Sequence, residues 1–268
     1  LLPRARKEGS PDYVAQLLTQ IARTLGLQQR FEEAHAVLDE VEGMLTDDMP
    51  VSRARYLLER GRAFNSSKRP EQARPLFVES WEVSRRARSD LHAVDAAHML
   101  AIVADPARKM RWNLEAAGVA ERSPDPRARG WLTVLYNNMG WDHFAGKRYE
   151  EALAMFERGL AFNREQKRER WVRISRWSVG KTLRILGREE EALEIQRELD
   201  REAEAAGAGR TGYTWEELGE CLLALGRPDE ARGYFALAYG KLSQDRWLRR
   251  DEPERLARLK QLGGVDGD

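Results

Sequence analysis

The chain has 268 residues, 42% of them hydrophobic and 33% charged, and its 45 basic and 44 acidic residues leave a net charge of +1. This balance argues against a dedicated nucleic-acid or membrane-surface binder. A single cysteine, Cys221, excludes an intrachain disulfide and is expected to be a small buried hydrophobe. No apolar run approaches the roughly 18 residues of a membrane span. No secretory signal is visible, so we expect a cytoplasmic protein without membrane contact.

A short block that ends in alanine recurs along the chain at nearly constant spacing. Its alanines stand at 34, 73, 152, 192 and 231, with gaps of 39, 79, 40 and 39 residues. The gap of 79 is close to two periods, which places one degenerate copy near residue 113. A fixed period in this range indicates an array of one repeated structural unit.

Each copy reads as two helices, and we treat the whole chain, 1–268, as a single domain. The predicted copies, in chain order, are residues 12–46, 50–88, 90–122, 128–166, 170–206 and 211–243. The third copy departs from the others because Asp105-Pro106 shortens its turn. Residues 251–262 are predicted to form a final amphipathic helix that covers the end of the array, as terminal repeats require.

Apolar and small residues recur at helical spacing in both helices of a copy. In the sixth copy Gly226 is predicted to end the first helix, and Pro228 suits the first turn of the second helix. Glycines in the first helices mark places where two helices must approach closely: Gly61, Gly140, Gly180 and Gly219. The second helices carry the matching stripes: Ala34, Leu38 and Val41; Ala73, Phe77 and Ser80; Ala152, Phe156 and Gly159; Ala192, Ile195 and Leu199; Ala231, Phe235 and Ala238.

The sixth copy, with Trp215, Leu218, Gly219, Gly226, Ala231, Phe235 and Ala238, resembles the tetratricopeptide repeat (TPR) motif. The period of this chain exceeds the roughly 34 residues of that motif. In this respect the chain is similar to the extended-period subclass found in kinesin light chains. Armadillo and HEAT repeats have a similar period but fit the Leu-Gly and Ala-Phe-Ala spacing less well. The resemblance implies an all-α fold, a right-handed α-solenoid of about six helix-turn-helix repeats with a C-terminal capping helix.

In this family the first helix of each pair lines a concave groove, so the resemblance implies a protein-interaction scaffold rather than an enzyme. Arginine suits carboxylate contacts, and Trp and Arg are common interface hot spots. We therefore predict a mostly basic and aromatic groove for a protein or peptide partner that is acidic and carries an apolar anchor. The predicted groove residues are Arg23, Arg55, Arg62, Asn65, His98, Asn137, Asn138, Trp141, Trp177, Lys181 and Arg184. Asn138 resembles one residue of the family's carboxylate clamp, but the expected lysine of the first repeat is absent.

Three alternatives stay open. In the first, the groove is merely solvated, as charged faces commonly are, or is filled by the chain's own termini. In the second, the chain, which begins without methionine, is a sensor or assembly region of a larger regulator and acts through self-association. In the third, the chain binds single-stranded nucleic acid. The acidic groove residues oppose this role: Glu59, Asp95, Glu216 and Glu220.

Catalytic, cofactor and metal sites are not predicted. The sequence has no phosphate-binding glycine loop, nucleophile elbow or paired zinc motif. His92, Asp95 and His98 are spaced so that they spread over about 120° of a helix, which disfavours shared metal binding. The sequence therefore predicts a non-enzymatic protein that holds no cofactor.

Overall fold

The computed structural model describes residues 2–207 and 211–265, which are helical and contain no strand. The chain divides into two compact units, Leu1–Leu135 (unit 1) and Tyr136–Asp268 (unit 2), and the division falls within one helix. The helices are α1 Leu2–Glu8, α2 Pro11–Leu27, α3 Phe31–Met44, α4 Pro50–Ser66, α5 Pro70–Arg86, α6 Asp90–Val103, α7 Pro106–Arg122, α8 Pro126–Arg129, α9 Leu132–Ala145, α10 Tyr149–Glu165, α11 Glu169–Ile185, α12 Glu189–Ala205, α13 Gly212–Ala224, α14 Pro228–Leu242, α15 Arg246–Asp251 and α16 Pro253–Gly263.

Most helices form consecutive pairs, which confirms the prediction of an all-α repeat fold. Unit 1 contains the pairs α2/α3, α4/α5 and α6/α7, and unit 2 contains α11/α12, α13/α14 and the larger part of α9 with its partner α10. We call the first helix of each pair the A helix and the second the B helix. In unit 1, A helices pack on each other from α2 to α4 and from α4 to α6; in unit 2, α11 packs on α13.

A three-residue turn joins the two helices of each described pair except α6/α7, where two residues, 104 and 105, separate the helices as the shorter turn of the third copy predicted. In the turn after α13, Gly226 adopts φ 70°, and the Arg227 N–H donates to the Leu222 carbonyl at 2.9 Å. This is the Schellman arrangement, which satisfies carbonyl groups left open at a helix end. It confirms that Gly226 ends the helix, and Pro228 begins α14 as predicted. Lys68 and Lys147 adopt the same left-handed conformation in the turns after α4 and α9.

Glycine and phenylalanine form the closest contact within three of the pairs, as the small-residue pattern predicts. A Cβ on Gly61 would lie 2.5 Å from the Phe77 ring, and one on Gly219 would lie 2.8 Å from the Phe235 ring. Gly140 meets Phe156 in the same way. In the α11/α12 pair two side chains lie against Gly180: Gln196, which is fully buried and nearest, and the predicted Ile195, which is partly buried against the same core.

The end of unit 2 is covered by α16, which packs on α14. Leu256 and Leu259 of this helix are buried in the same core as Phe235. Cys221 is also buried in that core, as predicted, and burial raises the pKa of its thiol to about 12. None of the helices within residues 2–207 and 211–265 combines the length and apolar character needed to cross a membrane.

Candidate functional site

The A helices of unit 1 are linked by a chain of charged side chains. Arg23 of α2 contacts Glu59 of α4 at 3.4 Å, and Arg62 contacts Glu59 at 2.5 Å. Arg62 also pairs with Asp95 of α6. Burial raises the pKa of Glu59, while the Arg62 and Arg23 guanidiniums act in the opposite direction. Two of the predicted groove arginines are thus brought together, but each already has a carboxylate partner on this face.

Arg55 is placed differently from the other two arginines of unit 1. Its Nε donates to the Thr19 Oγ1 at 3.1 Å, and its Nη2 donates to the Gln16 carbonyl at 3.2 Å. Burial lowers the pKa of this guanidinium. Arg55 therefore ties α4 to α2 through neutral oxygen acceptors. Asn65, also on α4, is partly exposed.

His98 lies on α6 beside Trp131, with a distance of 5.2 Å between the ring centroids. Its ring is partly buried, and its Nδ1 has no hydrogen-bond partner among the described residues. Burial lowers its pKa, which favours the neutral imidazole. The predicted role of His98 as a hydrogen-bonding residue for a partner stays a prediction.

We expect His92 to make the stability of the protein depend on pH. Burial, followed by the Arg55 guanidinium, lowers its pKa to about 4 from an ordinary value of 6.5. Between these two values the unfolded chain binds the proton more readily than the folded one, so stability falls as pH drops. From about pH 6.5 to about 4.5 we expect His92 to account for about 2 kcal/mol of lost stability.

The measurement is urea unfolding across this pH range for the wild type and His92→Asn. The asparagine keeps a group able to bond the Ser89 hydroxyl, which lies 2.8 Å from His92 Nδ1, but it does not titrate. The variant should lose less stability on acidification. Equal losses in both proteins would show that His92 is not responsible.

Unit 2 carries a row of aromatic side chains across its A helices. Trp141 of α9 lies 6.0 Å from Trp177 of α11, and Trp177 lies 6.3 Å from Tyr213 of α13, measured between ring centroids. The Trp177 Nε1 donates to the Tyr213 carbonyl at 3.2 Å. Phe144 extends the row beyond Trp141, at 5.2 Å. We call Phe144, Trp141, Trp177 and Tyr213 the aromatic row; the structure thus brings both predicted groove tryptophans into one surface feature.

The predicted groove cations of unit 2 share one buried carboxylate. Glu217 of α13 is 1% exposed; its Oε1 lies 2.5 Å from the Lys181 Nζ and its Oε2 lies 3.0 Å from the Arg184 Nε. The Lys181 ammonium also lies 5.4 Å from the Trp177 ring centroid. Glu217 therefore pairs with both cations and offsets part of their charge. Glu217 was not among the residues predicted to face the groove.

The acidic residues Glu216 and Glu220 also have partners, supplied by α16. Arg255 contacts Glu216 at 2.5 Å, and Arg258 contacts Glu220, with one nitrogen–oxygen distance of 3.1 Å. The last helix of unit 2 thus contributes two arginines to the side of α13 that was predicted to face a partner.

Asn137 and Asn138 lie on α9 next to the aromatic row, and both are partly exposed. Within residues 2–207 and 211–265, neither side-chain amide makes a hydrogen bond. Their donors and acceptors are thus available beside Trp141, as the contact with an extended backbone would require.

Two further arginines of α11 continue the stripe that contains Trp177 and Lys181. Arg170 and Arg173 precede Trp177 by seven and four residues, so they lie on the same side of the helix. Among the described residues neither arginine makes an ion pair or hydrogen bond. Neither arginine was among the predicted groove residues, although helical spacing from Trp177 would have identified both.

Comparison with known proteins supports the TPR resemblance. Residues 133–165, which cover α9 and α10, match the family model of the tetratricopeptide repeat. No curated protein sequence matches the chain.

Solved structures share the fold at low sequence identity. A signal transduction ATPase with numerous domains (STAND) from Pyrococcus horikoshii, described as having a tetratricopeptide repeat sensor, superposes with a TM-score of 0.76 and 13% identity. The match covers 98% of this chain but only 40% of that protein, so the chain spans less than half of its length. The apo form of RapI superposes with a TM-score of 0.60 and 14% identity, covering 94% of this chain and 81% of RapI.

Proposed function

We propose that this chain, which has the fold of the tetratricopeptide-repeat proteins, is an interaction module that binds an extended or helical partner segment on its A helices. In unit 2 the partner inserts an apolar side chain against the aromatic row. The single observation that carries the proposal is this row, in which Trp141, Trp177 and Tyr213 follow one another across α9, α11 and α13.

A row of partly exposed aromatic rings is costly for a surface with no partner. Trp141 and Trp177 are both partly exposed. Tryptophan has a large apolar side chain, so this row leaves apolar area in contact with water. Exposed apolar patches on soluble proteins commonly mark interaction sites, and Trp is enriched among residues that dominate binding energy. The amides of Asn137 and Asn138 can hold the partner's backbone beside the row.

The charge of the partner contributes less than its apolar anchor. Glu59 and Asp95 in unit 1 and Glu217 in unit 2 already pair with Arg62, Lys181 and Arg184. An acidic partner has to compete with these carboxylates at the positions where they pair. We therefore expect binding to weaken only modestly as salt is raised, since most cations on these faces are paired before the partner arrives.

The experiment uses a phage-displayed library of random peptides, selected on the immobilised wild-type protein. We expect enrichment of peptides with an aromatic or large aliphatic residue. Trp177→Ala should weaken the binding of an enriched peptide about tenfold or more, as loss of a hot-spot residue does.

The matched control is Trp247→Ala, because Trp247 of α15 is 51% exposed and lies outside the aromatic row. This variant should bind the same peptide as the wild type does. Thermal unfolding of both variants separates loss of the site from loss of the fold. Equal affinities of the two folded variants would remove the aromatic row from the binding account.

A second candidate is the sensor region of a larger regulator. The observation that favours it is the superposition of nearly the whole chain on two fifths of a STAND protein with a TPR sensor. At 13% identity this likeness concerns the fold alone, so it ranks below the aromatic row as support. If the protein stays strictly monomeric at high concentration, a sensor region that acts through self-association is contradicted.

A further inference from the structure

A cavity of about 570 Å³ lies within unit 2, beside the aromatic row. It is bounded by the N-terminal half of α11, the last turns of α12 and the start of α13. Its walls include Ile174, Trp177, Leu199 and Tyr213. The volume falls within the range of about 300–1,000 Å³ that small-molecule sites occupy, and the predominantly apolar wall is typical of them.

Arg170 and Arg173 also line this cavity, and both are exposed. They differ from Lys181 and Arg184 on the same helix, both of which pair with Glu217. Among the described residues neither Arg170 nor Arg173 has an ion-pair partner. Two arginines three residues apart on one helix, neither paired with a carboxylate, suit an incoming carboxylate, which each can bind through paired N–H donors.

The one acidic side chain among the described wall residues is already engaged. Asp200 is buried, and its Oδ1 accepts a hydrogen bond from the Trp215 Nε1 at 3.0 Å. An anionic ligand is repelled by this carboxylate and attracted by the arginines, so its charge has to lie at the arginines while its apolar body contacts Trp177 and Leu199. The wall thus selects a molecule with distinct charged and apolar ends.

We infer that this cavity binds a small organic carboxylate with an aromatic or branched aliphatic body. Binding would give the chain a ligand response that goes beyond partner recognition on the aromatic row. The cavity and the row share Trp177 and Tyr213, so occupation of the cavity should also change the fluorescence of the protein's tryptophans.

The test uses naphthylacetate as the probe and naphthylacetamide, which has a similar shape but no charge, as its neutral counterpart. Binding to the full chain is measured by calorimetry. We expect naphthylacetate to bind at least tenfold more tightly than the amide. The double variant Arg170→Gln/Arg173→Gln should lose at least tenfold in affinity for naphthylacetate and keep its affinity for the amide.

The control for net charge is Arg164→Gln/Arg249→Gln, because both of these arginines are exposed and neither lines the cavity. This variant should bind naphthylacetate as the wild type does. Equal losses in the two double variants would show nonspecific attraction and overturn the inference. An absence of naphthylacetate binding would also overturn the inference. If Arg170→Gln/Arg173→Gln then weakened the binding of a selected peptide, the two arginines would belong to partner recognition instead.

The proposal of peptide binding has its own test at Trp177, so either proposal can fail alone.

Discussion

Replacing Gly61 by alanine should lower the free energy of unfolding by about 3 kcal/mol, the upper part of the range for overpacked cores. The added methyl group would lie 2.5–2.9 Å from three atoms of the Phe77 ring. Phe77 is fully buried, so the ring cannot move aside without shifting α5 relative to α4. Alanine would otherwise favour the helix by about 1 kcal/mol over glycine, which makes the expected loss a direct sign of close packing.

Gly118→Ala is the matched control in the same unit. Gly118 lies inside α7, and a Cβ there would meet only the flexible Arg122 guanidinium, at 3.4 Å or more. This variant should gain about 0.5–1 kcal/mol from helix propensity. Urea unfolding of both variants measures the difference. Similar changes in the two proteins would contradict the close approach of α4 and α5.

Replacing Glu217 by glutamine should cost about 3 kcal/mol, at the low end of the range for breaking a buried ion pair. Glutamine keeps the size of the side chain but removes the charge that Lys181 and Arg184 share. Both cations are largely buried, with 22% and 14% of their side chains exposed. Each would then remain beside α13 without a compensating charge.

Glu191→Gln provides the control, because Glu191 also pairs with an arginine but on the surface. Its side chain is 58% exposed and that of its partner, Arg188, is 47% exposed. Surface ion pairs contribute little to stability, so its unfolding curve should match that of the wild type. A second comparison, Glu217→Gln with Lys181→Met, should restore part of the loss. If Glu217→Gln unfolds like the wild type, the shared carboxylate has no structural role.

Much of the fold follows from spacing within single helices. The Gly61–Phe77 and Gly219–Phe235 contacts, the turn at Gly226 and the start of α14 at Pro228 were predictable because each depends on a local pattern. The burial of Gln196 was not predictable, because the pattern of the other B helices has an apolar residue at the corresponding buried position. Gln196 is buried and donates through its Nε2 to the Trp177 carbonyl at 3.2 Å.

The ion pairs were missed because they join different helices. Arg23 and Glu59, and likewise Lys181 and Glu217, are separated by 36 residues, and Arg62 and Asp95 by 33. With about 3.6 residues per turn, a separation of 36 is one repeat minus about one helical turn, and a separation of 33 is one repeat minus about two turns. Helical stripes taken one at a time show cations without partners. Adding this offset would have placed Glu217 beside Lys181.

The central claim is that a partner segment contacts the aromatic row of unit 2. The measurement that tests it most directly is the NMR spectrum of the tryptophan indole N–H groups, assigned by substitution, during titration with a selected peptide. We predict that the Trp141 and Trp177 signals shift together with peptide concentration while that of Trp247 stays in place. Saturable binding that leaves both the Trp141 and Trp177 signals unchanged would contradict the account.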